Sequence, residues 1–385
     1  MNERGASLFP SQQRRHRIHR GLATARQEHI FNWSLVVVVL LYATAWVGAI
    51  VELRRIQHAA TFGAPVTVAA PGPVTRITDR ILGPDPAATT PYLTDAMLGF
   101  LHPLRGESGE VKFAPVLPGT PVVPEAPGDA DAVLSQGEQT EVSPDFAAPS
   151  RPGIYKFAVE MGKVRRAIDD INIITLVPIS QKRGGKIGTY YLGTWPWEDG
   201  GKPRSERYAP PGGFIEVTRE NEGTYVSEHF RLRDFLTKDQ GNVWPKYLLL
   251  DPKLIDKLEL TLQELENEGV DVRHVTVMSG FRTPRYNHSG GNTEGRANLS
   301  RHMYGDGADV FVDNDRNGNM DDINRDGRVD TRDAEMMGRA AEAVERKHPG
   351  LVGGVGVYSA CCGHGPFLHV DVRGYRARWR GTGNG

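Results

Sequence analysis

The sequence predicts an α+β C-terminal domain, preceded by a small all-β domain, a disordered linker and one transmembrane helix. Three features of the 385-residue chain carry that prediction. A charge-free apolar run lies near the start, and a stretch rich in Pro and Ala follows it. The hydrophobic period then changes from two to about 3.6 near residue 227.

Residues 1–29 read as a cytoplasmic basic tail carrying Arg14, Arg15, Arg17, Arg20 and Arg26. The run IFNWSLVVVVLLYATAWVGAIV fills most of residues 30–52. About 20 such residues at helical rise span a hydrocarbon core of ~30 Å. Trp33, Tyr42 and Trp46 suit the membrane interfaces. Arginines before the span hold the N-terminus inside. The expected location is therefore the inner or cell membrane, single-pass, with the C-terminal part periplasmic or extracellular. A cleaved signal peptide would have a shorter apolar core and an A-x-A site, which VGAIVEL lacks.

Residues 53–152 show neither helical nor strand period, as in GAPVTVAAPGPVT, and read as a Pro/Ala-rich linker. A short helix in PYLTDAMLGFL interrupts it. Residues 153–226 read as a small antiparallel β domain. Runs such as GIYKFAVEM, INIITLVPI and GFIEVTREN are separated by Gly and Pro clusters. Nothing in it suggests chemistry.

Residues 227–385 form the α+β part. In LDPKLIDKLELTLQELENEG, Asp251 suits an N-cap and Pro252 the first turn. Leu254, Ile255, Leu258, Leu262 and Leu265 share one face, and Gly269 ends the run. Strands are expected at Val275 to Met278, Ala308 to Val312 and Phe367 to Val372. A helix from Arg332 to Lys347 is expected between the last two.

Net charge is -1, which gives no basic face for phosphates and excludes nucleic acid as a partner. The two cysteines, Cys361 and Cys362, are adjacent and cannot staple distant segments, so packing is their expected role. Oligomeric state is open.

Four polar residues interrupt otherwise apolar strands or their entry turns. His302 precedes a turn containing Gly305 and Gly307, which leads into the strand bearing Asp309. His369 and Asp371 share one face of the last strand, with Leu368, Val370 and Val372 on the other. Two His and one Asp make a three-ligand set for Zn2+ that leaves a fourth position for water.

These residues also carry a resemblance. Ser300, His302, Gly305 and Asp309 match the pattern S-x-H-x-x-G-x-x-x-D, flanked in order by SGFRTPRYN and HVD. On these phrases the chain resembles the M15 zinc peptidases, most of all their YcbK-like branch. The group includes D-Ala-D-Ala carboxypeptidases and murein endopeptidases, and shares its zinc geometry with the Hedgehog signalling domain. The resemblance covers about residues 227–378, with SEHFRLRDFL similar to the branch's opening segment. It implies a Hedgehog/D-Ala-D-Ala-peptidase-like zinc domain with ligands His302, Asp309 and His369.

Departures from the family pattern bear on catalysis. Gly307 stands where many members have Ala. Pro366 stands where several carry a general-base Glu, three residues before the last His. His364 occupies a position where some carboxypeptidases of the family place a catalytic His. It is the expected acid/base, and Asp371 the group that orients a ligand or takes a proton. Arg282 resembles a family arginine that binds a substrate carboxylate or stabilises an oxyanion. Tyr304 and Asn287 are expected to line the cleft.

An insert after the Asp309 strand has calcium-loop spacing. Asp322, Asn324, Asp326, Arg328, Asp330 and Asp333 follow the EF-hand register, with Gly327 at the sixth position. Asp rather than Glu at the end resembles dockerin-type Ca2+ loops. Asp313, Asp315, Asn317 and Asp321 form a second, weaker loop. Together these features lead to the expectation of a membrane-anchored zinc metallopeptidase that hydrolyses peptide bonds of peptidoglycan, as endopeptidase or carboxypeptidase. The alternative is a catalytically inactive, zinc-containing cell-wall-binding module.

Overall fold

The stretch expected to be linker is folded from residue 93 onward. The computed structural model describes residues 93–382, except positions 124, 144, 292, 294, 295 and 362. Within the expected linker lie strands β1 (Phe113–Val116), β2 (Ala130–Gln136) and β3 (Gln139–Ser143). With β4 (Gly153–Met161) and β5 (Val164–Thr175) they form one five-stranded sheet, ordered β1-β5-β4-β2-β3. Leu134 opposes Phe157 across β2 and β4, and Ala114 opposes Ile173 across β1 and β5. Leu98, Leu101, Phe146, Phe157, Val159 and Ile173 make its core, with the Phe146 ring edge-on to Phe157 at 6.1 Å. Composition alone hid these strands, because each is short and the strands that anchor them to the sheet, β4 for the β2–β3 hairpin and β5 for β1, lie further along the chain.

The segment expected as a separate β domain is divided in the structure. Its first two strands belong to that five-stranded sheet. The rest gives β6 (Val177–Pro178), β7 (Lys186–Ile187), β8 (Tyr190–Tyr191) and β9 (Gly213–Val217), joined by β10 (Lys246–Leu248). Strands β10-β9-β6 form a small sheet, and β7-β8 a hairpin. These pack into one core with the C-terminal elements through Trp195, Phe214, Phe235, Leu248 and Phe281. The fold is thus mixed and sheet-rich, which corrects the expected sequence of linker, all-β domain and α+β domain. Among the described residues no helix is long and apolar enough to cross a membrane. The basic tail (1–29) and the span (30–52) lie outside the described residues. No helix among the described residues therefore supports the single-pass membrane location inferred from hydropathy, and that expectation is not carried further.

Helix α1 (Pro252–Asn267) is capped by Asp251, whose carboxylate accepts from the Lys253 amide at 2.9 Å. Its Leu254, Ile255, Leu258, Leu262 and Leu265 are buried. The C-terminal sheet comprises β11 (Val275–Ser279), β12 (Gly307–Val312), β13 (Gly354–Tyr358), β14 (Phe367–Asp371) and β15 (Ala377–Gly381), ordered β11-β12-β14-β13-β15. A short helix α2 (Pro284–Ser289) follows β11, and α3 (Thr331–Lys347) lies between β12 and β13. Helix α3 packs on the sheet face bearing Val355, Val357 and Leu368, where Gly338 allows close approach. The alternate residues therefore look out from the other face.

The turn at residues 227–230 is held to α1 through His229. Its Nδ1 lies 2.8 Å from Glu259 Oε2, and its amide donates to Oε1 at 3.0 Å. The Glu259 hydrogen bond raises the imidazole's pKa against the opposing effect of burial. A raised folded value means that the pair's stabilisation is complete below the unfolded value of about 6.5 and fades as pH rises through the folded one. His229→Ala should thus cost about 1.5–3 kcal/mol near pH 5 and clearly less at pH 9. Denaturant titrations of both proteins at the two pH values check this. An equal cost at both would remove the charged pair from the account.

Candidate metal centre

A single transverse row crosses all five strands of the C-terminal sheet on its helix-free face. Ser279 opposes Asp309, Asp309 opposes His369, His369 opposes Gly356, and Gly356 opposes Trp379. Directly opposed side chains have Cβ atoms about 5 Å apart. The β12–β14 register therefore sets Asp309 and His369 side by side. Gly356 has a steric reason: a Cβ there would meet the Trp379 indole at 2.3 Å. Without one, the indole lies 5.2 Å from the His369 ring.

His302 arrives from the 3-10 turn Arg301–Tyr304 before β12. That turn closes on Gly305, which is left-handed at φ +71 and sits where a Cβ would meet the Leu249 backbone at 2.4 Å. Two independent constraints thus demand glycine at this position. The turn brings His302 Nε2 to 3.2 Å from His369 Nδ1 and 3.3 Å from Asp309 Oδ1. His369 Nδ1 lies 2.8 Å from the same oxygen. All three residues are nearly buried, at 3%, 3% and 6% exposure.

Their other atoms decide what these three present to one another. His302 Nδ1 sits 2.7 Å from the Gly280 carbonyl, which can only accept, so Nδ1 carries the proton and Nε2 a lone pair. His369 Nε2 sits 3.1 Å from Asp371 Oδ2. Burial pushes the Asp371 carboxyl up, but His369 and Arg373 outweigh it and hold the group well below the carboxylate range. Asp371 is therefore an acceptor and His369 Nε2 the donor. Burial works to lower the His369 pKa, but its hydrogen bonds to Asp309 and Asp371 outweigh it and raise the group. Nδ1 thus either shares a proton with Asp309 or gives that proton up to a metal ion. Burial and the Arg282 charge lower His302 to about 4, which keeps it neutral. Asp309 stays ionised because its imidazole neighbours overcome burial.

Two imidazole nitrogens and a carboxylate oxygen thus face each other in a buried space. A positive charge among them, either a proton on His369 Nδ1 or a metal ion, offsets the carboxylate. Donors held ~2.0–2.1 Å from one tetrahedral ion would lie about 3.3 Å apart, close to the observed separations. The Nδ1–Asp309 distance is the short one, and a proton can occupy that pair alone. The spacing of all three is also compatible with one shared metal ion.

A second layer fixes these donors. Arg282 donates from Nη2 to Asp309 Oδ2 at 2.9 Å and from Nε to Ser279 Oγ at 2.8 Å. Asp371 is fully buried and accepts from Arg373 Nε and from the Gly354 amide at 2.9 and 2.8 Å. Behind it, Lys257 of α1 donates to the Asp371 carbonyl at 2.8 Å and to Glu345 of α3 at 2.6 Å.

The row opens into a cavity of about 360 Å³ lined by Arg282, Arg296, Tyr358, Phe367, Arg373 and Trp379 beside the triad. Asp371 does not reach it, so its place is behind His369. His364 lines a neighbouring cavity with Arg282, and its Nδ1 lies 2.7 Å from the Gly365 carbonyl. Tyr304 and Asn287 are not among the residues lining either cavity. Tyr304 lies instead under the Arg301 guanidinium at 4.7 Å, and Asn287 donates to the Ala297 carbonyl at 3.1 Å. Cys361 is disulfide-bonded, so it offers no thiolate to a metal. Tyr358 and Trp379 were missed in the sequence. Trp379 Nε1 donates to the Tyr358 hydroxyl at 2.8 Å, and only strand pairing reveals the contact.

The two acidic loops share one backbone design. Asp313 accepts from the Asn317 and Gly318 amides at 2.9 and 3.1 Å, and Asp322 from those of Asp326 and Gly327 at 3.1 and 2.8 Å. Asp313, Asp315 and Asp321 place carboxylate oxygens within 4.8 Å of one another. In the loop with the fuller sequence match, Arg332 pairs with Asp326 and Asp330, each at 2.7 Å. Asp330 also caps α3, and Asp333 accepts from the Asn324 and Asp330 amides. Asn324 Oδ1 accepts from the Asp326 amide at 2.9 Å, and the Arg328 amide donates to Asp326. The geometry thus gathers carboxylates in the loop with the poorer sequence match.

The chain matches no family model, no curated protein and no solved structure.

Proposed function

We propose that this chain is a zinc-dependent peptidase of the M15 kind that hydrolyses peptide bonds of peptidoglycan. The observation that supports the reading is the convergence of His302 Nε2, His369 Nδ1 and Asp309 Oδ1 at 2.8–3.3 Å on the floor of an open cavity. Those three atoms would hold the zinc, which when bound supplies Lewis acidity to acidify water and polarise a carbonyl.

The chain's own groups do the rest. Gly280 and Asp371 lock the two imidazoles in the tautomers that present lone pairs. Arg282 fixes the Asp309 carboxylate so that one oxygen faces the imidazoles. Tyr358 receives a hydrogen bond from Trp379, which leaves its own proton to donate into the cavity. A carbonyl oxygen gaining negative charge would take that hydrogen bond. His364 is the one imidazole lining either cavity outside the triad. We assign it the proton transfer to the leaving amine.

Digestion of purified peptidoglycan by the full chain tests this. Mass spectrometry should find cleaved stem peptides, lost with a zinc-selective chelator and regained on adding zinc. Polymer that is bound but never cut would favour the inactive wall-binding module instead.

We also propose Ca2+ as the structural ion of the 313–321 loop, on the three converging carboxylates. Binding at 100 times Kd stabilises by about 2.7 kcal/mol. For a domain of this size that amounts to a rise in Tm of roughly 5–10 °C. A melting curve indifferent to millimolar calcium would end this assignment.

A further inference from the structure

Strands β4 and β5 and the loop after β9 line a groove of about 680 Å³. It shares no lining residue with the two cavities at the metal centre. Its volume falls within the ~300–1,000 Å³ of ordinary ligand sites. The β4–β5 pairing shapes one wall. Lys156 opposes Asn172, but the next residue of β4, Phe157, opposes Ile168. Asp169, Asp170 and Ile171 therefore bulge out of the ladder, and the bulge turns both carboxylates to the groove. Lys112 ties the two walls together. Its amide donates to the Val226 carbonyl, and its own carbonyl accepts from the Asn172 amide, both at 2.9 Å.

The groups left without partners decide what the groove can take. Asn172 lines it and is only 7% exposed. Its Nδ2 donates to the Lys112 carbonyl at 3.3 Å, while its Oδ1 accepts no hydrogen bond among the described residues. Asp169 and Lys156, both exposed, likewise make no hydrogen bond or ion pair among them. Asp170 is matched by Arg105, and Glu228 by Lys112 at 2.6 Å. Tyr225 stands 44% exposed at the rim, with the Arg231 guanidinium 4.1 Å over its ring and bonded to its hydroxyl. Four carboxylates, Asp169, Asp170, Glu220 and Glu228, disfavour an anion here, and the unmatched Lys156 ammonium disfavours a cation. Ile154 and Tyr225 alone give too little apolar surface for a hydrophobe. A hydroxyl both donates and accepts, so neighbouring hydroxyls can meet Asn172 Oδ1, the Asp169 carboxylate and the Lys156 ammonium together. The Tyr225 ring adds a rigid apolar face for the C–H groups of a sugar ring.

We propose that this groove binds a neutral saccharide, with Asn172, Asp169 and Lys156 reading its hydroxyls and Tyr225 holding a ring face. The site is separate from the metal centre and does not rest on the peptidase reading. It binds and makes or breaks no bond.

Calorimetry on the full chain with cellotetraose, chitotetraose and maltotetraose tests it, with trilysine and triglutamate as charged controls. At least one tetrasaccharide should bind with a Kd of roughly 0.01–1 mM, and more tightly than either charged peptide. Asp169→Ala and Lys156→Met alter exposed side chains only and should leave Tm unchanged, yet each should weaken that binding about 10-fold. Tyr225→Ala should weaken it about 5–10-fold. The proposal would be overturned by no binding of any of the three sugars at about 10 mM. A tighter complex with trilysine or triglutamate would also overturn it, as would saccharide binding that survives the Asp169→Ala, Lys156→Met double variant.

Discussion

His302→Ala should abolish peptide hydrolysis and zinc retention together, with a rate loss of roughly 10³-fold or more. His302 supplies one of only two nitrogen donors, and its tautomer is fixed by the Gly280 carbonyl at 2.7 Å. Alanine leaves Asp309 and His369 as a two-donor remnant that a proton can satisfy. It also strands the Gly280 carbonyl, at a folding cost of about 1–3 kcal/mol. The variant should therefore remain folded, which circular dichroism and a melting curve check beside the activity and metal content. Full activity in a folded, zinc-free variant would separate catalysis from this site.

The second large effect lies in the packing beneath the row. Lys257→Met should destabilise the fold by about 3–5 kcal/mol, because it strips one partner from a buried ion pair. Lys257 is fully buried, and Glu345 is nearly so. Glu345 would keep Arg378 and the Gly353 amide, so the cost should fall toward the lower end of that range. At ~2–4 °C per kcal/mol, Tm should drop by roughly 6–20 °C. Adding Glu345→Gln should recover part of the loss, since no bare charge then stays buried. Lys257 also holds the Asp371 carbonyl at 2.8 Å, on the strand that carries His369. The single variant should thus bind zinc more weakly as well. A drop in Tm under about 1 °C would mean that the ion pair contributes nothing net.

What was legible in the sequence follows from how local each signal is. Helix α1 announced itself through Asp251, Pro252 and its leucine period, all of which act within one element. His302, Asp309 and His369 stood out because polar residues in apolar strands need a partner. The register that brings Asp309 opposite His369 could be expected from none of the individual strands. Strands β13 and β15 were invisible. GVGVY looks like loop, and ARWRG looks like solvated charge. Yet Gly356 is there because Trp379 crosses it, a parallel pairing between segments over twenty residues apart. Strands β1 to β3 were lost for a similar reason, since proline-rich surroundings outweighed short apolar runs, and β1 and the β2–β3 hairpin join the sheet through β5 and β4, beyond residue 153. The acidic loops show the opposite failure. Spacing alone favoured residues 322–333, but Arg332 neutralises two of those carboxylates from the first turn of α3.

X-ray absorption at the zinc edge, on the purified full chain and on Asp309→Asn, tests the central claim most directly. The account predicts one zinc per chain whose protein shell is two imidazoles and one carboxylate, with occupancy falling sharply in Asp309→Asn. A chain that takes up no zinc, or that holds it equally well without the Asp309 carboxylate, would contradict it.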